Sequence, residues 1–252
     1  MKVIEIFFSP TGGTKKVVDI VAEALSETVV KADITVSDKA CSVEIGREDL
    51  CVVGVPSFGG RVPAVAAERL SKVKANGAKA VLVCVYGNRA YEDTLVELED
   101  LAKLQGFDIG GAIAAVAEHS IARTYAAGRP DSEDRKMLQD FAQKIKEKLQ
   151  KGDVSVPNIP GNRPYKKSSG GGIVPKPNKN CTQCGICAVN CPTGAIDKKD
   201  PAEVDKTKCI SCMRCVSVCP NQARKVNKVM LVAVNAMLKK ACSERKNCEL
   251  FL

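Results

Sequence analysis

The chain has 252 residues and a mass of 26.9 kDa, enough for one or two domains. Apolar residues make up 45% of it, which excludes wholesale disorder. No apolar run reaches the roughly 18 to 20 residues of a membrane-spanning helix, and the opening residues MKVIEIFFSP lack the pattern of a cleaved leader. A cytoplasmic protein is therefore expected.

Charge and cysteine are both unevenly spread. Residues 1–150 carry 20 basic against 22 acidic side chains, and residues 151–252 carry 18 against 7. Of thirteen cysteines, only Cys41, Cys51 and Cys84 precede residue 150. Two domains of different chemistry follow. The basic half does not read as a nucleic-acid surface, because its lysines are scattered. The whole chain has four tyrosines, six phenylalanines and no tryptophan to stack on bases.

In chain order, residues 2–8 form a short apolar strand ending in Ser-Pro. Helical spacing follows over 14–29, with Thr14 as its expected N-cap. Residues 31–36 and the valine-rich run 50–56 are strands, the latter buried on both faces. Residues 63–74 are a helix with Pro63 in its first turn. Residues 79–86 are a buried strand, 91–105 a helix, 107–117 a strand and 132–150 a charged amphipathic helix. Such alternation calls for a doubly wound, five-stranded parallel sheet with helices on both faces. Rossmann-like and flavodoxin-like windings both satisfy it. The short link 37–49 leaves little room for a helix in that crossover.

Ligands of such sheets bind beyond the carboxyl ends of the strands. The first such loop, Ser9-Pro10-Thr11-Gly12-Gly13-Thr14, offers hydroxyls, flexible glycines and the free N–H groups of a helix start, a cradle for one phosphate. It has neither a GxGxxG nor a P-loop pattern, which disfavours dinucleotides and nucleoside triphosphates. After the third strand come Ser57, Phe58, Gly59 and Gly60, and after the fourth Gly87, Asn88, Arg89 and Tyr91. Both loops pair aromatic with glycine, as a flat ring would need. One phosphate loop and two ring loops suit a mononucleotide such as FMN. His119, the lone histidine, follows the fifth strand and is expected to close the pocket rather than to act in acid–base chemistry.

Residues 151–173 are rich in Pro, Gly, Ser and Lys and read as a linker. Beyond it one motif occurs twice, 28 residues apart: Cys181-x2-Cys184-x2-Cys187-x3-Cys191-Pro192 and Cys209-x2-Cys212-x2-Cys215-x3-Cys219-Pro220. Zinc would need one quartet per ion and gives no reason for the repeated CxxCxxCxxxCP. The tail 225–252 is an apolar-striped helix followed by a short end with Cys242 and Cys248, expected to dock within the chain.

Residues 174–224 resemble a bacterial dicluster ferredoxin, an α+β unit carrying two 4Fe–4S clusters. The resemblance implies that Cys181, Cys184, Cys187 and Cys219 hold one cluster and Cys209, Cys212, Cys215 and Cys191 the other. Residues 1–150 are similar to a flavodoxin, with SPTGGT as phosphate loop and FGGR and YGNRAYED as ring loops. Together they resemble the fused flavodoxin–ferredoxin electron-transfer proteins of anaerobes (the EFR type). That likeness implies noncovalent FMN and two clusters; the basic surface of the second half is expected to steer external, acidic redox partner proteins, and neither nucleic acid nor a membrane span is expected. The likeness also implies an electron carrier rather than a dedicated enzyme. A flavin-dependent reductase of a small acceptor is the first alternative, and a docking module with structural clusters the second. Many flavodoxins stack a tryptophan on the ring; here Phe58 or Tyr91 would have to serve.

Overall fold

The computed structural model describes residues 2–153, 155, 157–168 and 172–252. Five parallel strands, β1 (Val3–Phe7), β2 (Val29–Asp33), β3 (Leu50–Pro56), β4 (Lys79–Tyr86) and β5 (Asp108–Val116), lie in the order β2-β1-β3-β4-β5. That order is the flavodoxin-like winding, not the Rossmann-like one. Strand period sorts the side chains. Ile4, Ile6 and Phe8 pack on the face covered by α2 (Ala64–Leu70) and α3 (Thr94–Leu104). Val3 and Phe7 pack on the other, under α1 (Gly13–Leu25) and α4 (Ser132–Gln150). The abbreviated crossover between β2 and β3 holds only a 3-10 turn, Lys39–Ser42.

Thr14 is not the N-cap of α1. That place belongs to Gly12, whose left-handed backbone (φ 90°) turns the chain into the helix one residue earlier. The capping oxygen comes from further back, since the Lys15 N–H donates to Ser9 Oγ at 2.9 Å. Helix α4, by contrast, starts on a full capping box built by Asp131 and Asp134.

The segment expected to be a linker is bound along α3. Asp93 accepts from the backbone N–H groups of Asn162 (2.8 Å) and Lys166 (2.7 Å). Arg163 pairs with Asp100 at 2.7 Å and Glu99 at 3.0 Å, and Ile159 is buried. Composition could not reveal this, because the partners lie on a helix far back in the sequence. Within that stretch, positions 154, 156 and 169–171 lie outside the described residues.

The cysteine-rich unit has the short strands β6 (Lys176–Pro177) and β7 (Arg224–Lys225), paired antiparallel, and two one-turn helices, α5 (Ile186–Val189) and α6 (Arg214–Ser217). Helix α7 (Lys228–Leu238) then buries Val234 and Leu238 against Ile121, Ala122 and Tyr125. Its Val229, Val232 and Met237 stay exposed, so the expected docking within the chain uses one side only. The chain finally returns to the sheet. Strand β8 (Glu249–Phe251) pairs antiparallel with Ala112–Ala114 of β5, a sixth strand the sequence did not suggest. Among the described residues no helix is long and apolar enough to cross a membrane.

Candidate functional site

The 28-residue repeat is a repeat of backbone conformation as well as of sequence. Left-handed residues recur in register: Gln183 with Ser211, Gly185 with Met213, and Gly194 with Gln222. Left-handed backbone is uncommon outside glycine, so its recurrence at non-glycine positions shows that the loop path is imposed at each motif. The path turns three thiols of each run toward one cavity and sends the fourth to the other. One cavity is lined by Cys181, Cys184, Cys187 and Cys219. The other is lined by Cys191, Cys209, Cys212 and Cys215. Each cavity thus gathers the same four cysteines that the resemblance assigns to one cluster.

The cavities suit a group that takes anionic sulfur. The N–H of Ala195 donates to Cys191 Sγ at 3.3 Å, and that of Ala223 to Cys219 Sγ at 3.2 Å. Burial works against the Cys219 thiolate. The N–H groups of Arg224, Ala223 and Asn221 outweigh it, and the thiol titrates below its ordinary value. Burial pushes Cys212 up to about 11 and Cys215 up to about 12. Those sulfurs keep their protons until a metal replaces them. Apolar Ala195, Ile196 and Ala223 cover the cavities.

Beyond the carboxyl ends of β1, β3, β4 and β5 lies a solvent-open cleft. Ser9, Thr11, Gly13, Thr14, Ser57, Phe58 and Gly87 line it, joined by Tyr86 and His119. Ser9 and Thr14 are buried. No acceptor is found among the described residues for the backbone N–H groups of Thr11, Gly12, Gly13 and Thr14. Free N–H groups at a helix start are a ready site for an anion. His119 Nδ1 accepts from the N–H groups of Ile121 (3.2 Å) and Ala122 (3.0 Å), which leaves Nε2 to carry the proton. Burial, then the Arg89 charge, holds its pKa below the usual value, so the ring stays neutral.

Other expected ring contacts are taken up elsewhere. The Asn88 amide donates to the carbonyls of Cys242 (3.3 Å) and Glu244 (2.8 Å) and accepts from the Lys246 N–H (3.2 Å). Arg89 pairs with Glu92 at 2.9 Å. Tyr91 packs on Tyr86 with ring centroids 5.2 Å apart, its hydroxyl toward Glu249. Gly59 and Gly60 form the turn between Phe58 and Arg61. A Cβ on Gly60 would meet the Glu92 side chain. The tail, expected to dock but not to reach this loop, holds Asn88 and Tyr91 away from the cleft.

In their place the cleft has a wall that the sequence reading missed. Cys212, a member of the second quartet, lines it directly. Two arginines fix the approach. Arg214 Nη1 donates to the Pro10 carbonyl at 3.2 Å. Arg69 donates to the carbonyls of Ile34 (2.8 Å), Thr35 (2.6 Å) and Pro192 (2.6 Å).

Residues 180–223 match the family described as a 4Fe–4S dicluster domain. A ferredoxin-like protein in the nif region of Sinorhizobium fredii is 43% identical over 47 residues, 16% of this chain and 73% of that protein. The uncharacterized ferredoxin-like protein YdhX of Escherichia coli is 39% identical over 59 residues, and the match spans only 27% of its length. Among solved structures, a flavodoxin of Streptococcus pneumoniae aligns over 59% of this chain and 99% of its own, at 21% identity and a TM-score of 0.43. Flavodoxin 1 of Bacillus cereus aligns over 58% and 98%, at 16% identity and a TM-score of 0.41. The flavodoxin-like winding rests on the strand order and not on these alignments. With its crossed quartets, its matched residues 180–223 and a ferredoxin-like relative covered over most of its length, the chain belongs to the 4Fe–4S dicluster ferredoxins, joined here to a flavodoxin-like sheet.

Proposed function

We propose that this chain is an electron carrier with noncovalent FMN in the cleft and two 4Fe–4S clusters beside it, relaying electrons between them and external redox proteins. The observation that carries this reading is Cys212, which belongs to one cluster cavity and lines the cleft as well. A cofactor there would lie against a cluster ligand. When bound, FMN supplies one- or two-electron chemistry and the clusters one-electron chemistry.

The residues have distinct tasks in this scheme. Thr11 to Thr14 would hold the phosphate with backbone N–H groups, and Phe58 and His119 would flank the ring. The neutral His119, its proton on Nε2, would offer a donor there without adding charge. Cys212 would take the place of the missing tryptophan as a wall. The quartets with Cys219 and with Cys191 would each hold one cluster. Lysines around the cysteine-rich unit would steer acidic partners.

The test is the iron and flavin content of protein purified without oxygen. About eight iron atoms and about one FMN per chain are expected. Full iron with no flavin uptake on adding FMN would overturn the relay and leave a docking module. Bound zinc in place of iron would overturn the cluster reading.

A reductase of a small acceptor is the second reading. It is favoured by a solvent-open cavity next to the cleft, lined by Lys16, Glu118, Ser120 and Arg123. Steady turnover of a quinone with reduced protein would select it over the carrier.

A further inference from the structure

The two cluster cavities are twofold copies with one conspicuous mismatch. Cys191 and Cys219 correspond, as do Ala195 and Ala223, each donating its N–H to the fourth thiol of its run. The next position is Ile196 in one cavity and Arg224 in the other. Ile196 is buried and bridges to Val204, as an apolar cover should. Arg224 is also buried, at 2% exposure. Its guanidinium donates to the carbonyls of Pro175 (3.0 Å) and Pro201 and reaches Cys187 Sγ at 3.6 Å. Its Nε has no partner among the described residues, and no carboxylate is among its contacts.

A buried guanidinium without a carboxylate is costly unless some other anion compensates it. The anion nearest to hand is the thiolate quartet of the cavity that Arg224 lines. We propose that Arg224 is the counter-cation of the cluster held by Cys181, Cys184, Cys187 and Cys219, and that it sets this cluster at a higher reduction potential than its twofold mate. The inference rests on the cluster reading above. Reduction adds one negative charge to a cluster, and a fixed cation a few ångströms from a ligand sulfur favours the state with that charge. The mate has Ile196 at the equivalent position and feels the Arg224 charge only through Cys215, without the direct contact that Cys187 receives. Cys184 is exposed, so the cluster that holds its electron more firmly is also the one open to partners, while the mate faces the cleft through Cys212.

The experiment is anaerobic redox potentiometry of the full chain, followed by the paramagnetic resonance of the reduced clusters, after iron content has been measured. The wild type should reduce in two resolved steps. Arg224→Met should lower one step by at least tenfold in the reduction equilibrium, about 59 mV for one electron, and move the other by clearly less. Arg224→Lys, which keeps the charge, should hold that step near its wild-type position. A structural role alone would move stability and not the potential. Arg224→Met with full iron and both steps unmoved overturns the proposal. So does a wild type whose two clusters reduce at one potential, a result that does not depend on any variant folding. A wild type without about eight iron atoms overturns the cluster reading itself, and this inference with it.

Discussion

Glu5 is the clearest case of a residue whose surroundings outweigh its chemistry. It sits on β1 with no exposed surface and with both carboxylate oxygens unbonded. Lys31 Nζ is 3.5 Å away but lies closer to Asp19, at 2.6 Å. Burial first, then the charge of Asp19, raises the Glu5 pKa from 4.5 to about 7 against the pull of Lys31. The folded chain therefore keeps a proton that the unfolded chain gives up between those values. The penalty for ionised Glu5 is absent below the lower value and complete above the higher. Glu5→Gln should stabilise the protein by up to about 3 kcal/mol near pH 8 and hardly at all near pH 4. Urea unfolding at both pH values checks this, and an equal effect at the two would refute the assignment. The cluster cysteines were legible at this scale because their geometry is written in spacings of two and three residues. Asn88 and Tyr91 were misjudged because their partners, Cys242, Glu244, Lys246 and Glu249, lie more than a hundred positions downstream. No local pattern could reveal that.

Elements fared according to how local their causes are. Strands β3 and β4 and helix α4 stand at the boundaries read from apolar runs and period. Helices α1 and α2 end earlier than expected, at Leu25 and Leu70, since periodicity marks a buried face and not the residue where the backbone turns away. Strand β8 was illegible because three residues carry no strand pattern of their own and form only by pairing with β5. The tail is clasped to the β4 loop chiefly by the Asn88 amide, with three hydrogen bonds at a buried site. Asn88→Ala should cost about 2–3 kcal/mol and speed amide exchange of residues 249–251. Unchanged exchange there would mean that β5 alone holds the strand.

At the scale of the whole molecule, the two units meet through few but buried contacts. Arg69 joins the end of β2 to Pro192 in the cysteine-rich unit, donating to carbonyls on both sides of the boundary. Arg69→Met should leave the parallel sheet intact and loosen the junction. Amide exchange at residues 191–196 should rise roughly tenfold, equivalent to about 1.4 kcal/mol, in keeping with one hydrogen bond to a charged group. Exchange that stays the same would shift the burden to Arg214 and Pro10. The broad division of labour was legible in the charge and cysteine asymmetry. The junction was not, because arginine-to-carbonyl bonds leave no mark on composition.

Strand β8 also orders events in time. The outer edge of β5 offers unpaired backbone groups flanked by alanine and isoleucine, the kind of edge that recruits other chains. The segment that caps it is translated only after the whole cysteine-rich unit. A nascent chain thus carries an open sheet edge and a set of unmetallated thiols together. Slow iron delivery should show itself first as aggregation through that edge, before any loss of the parallel sheet.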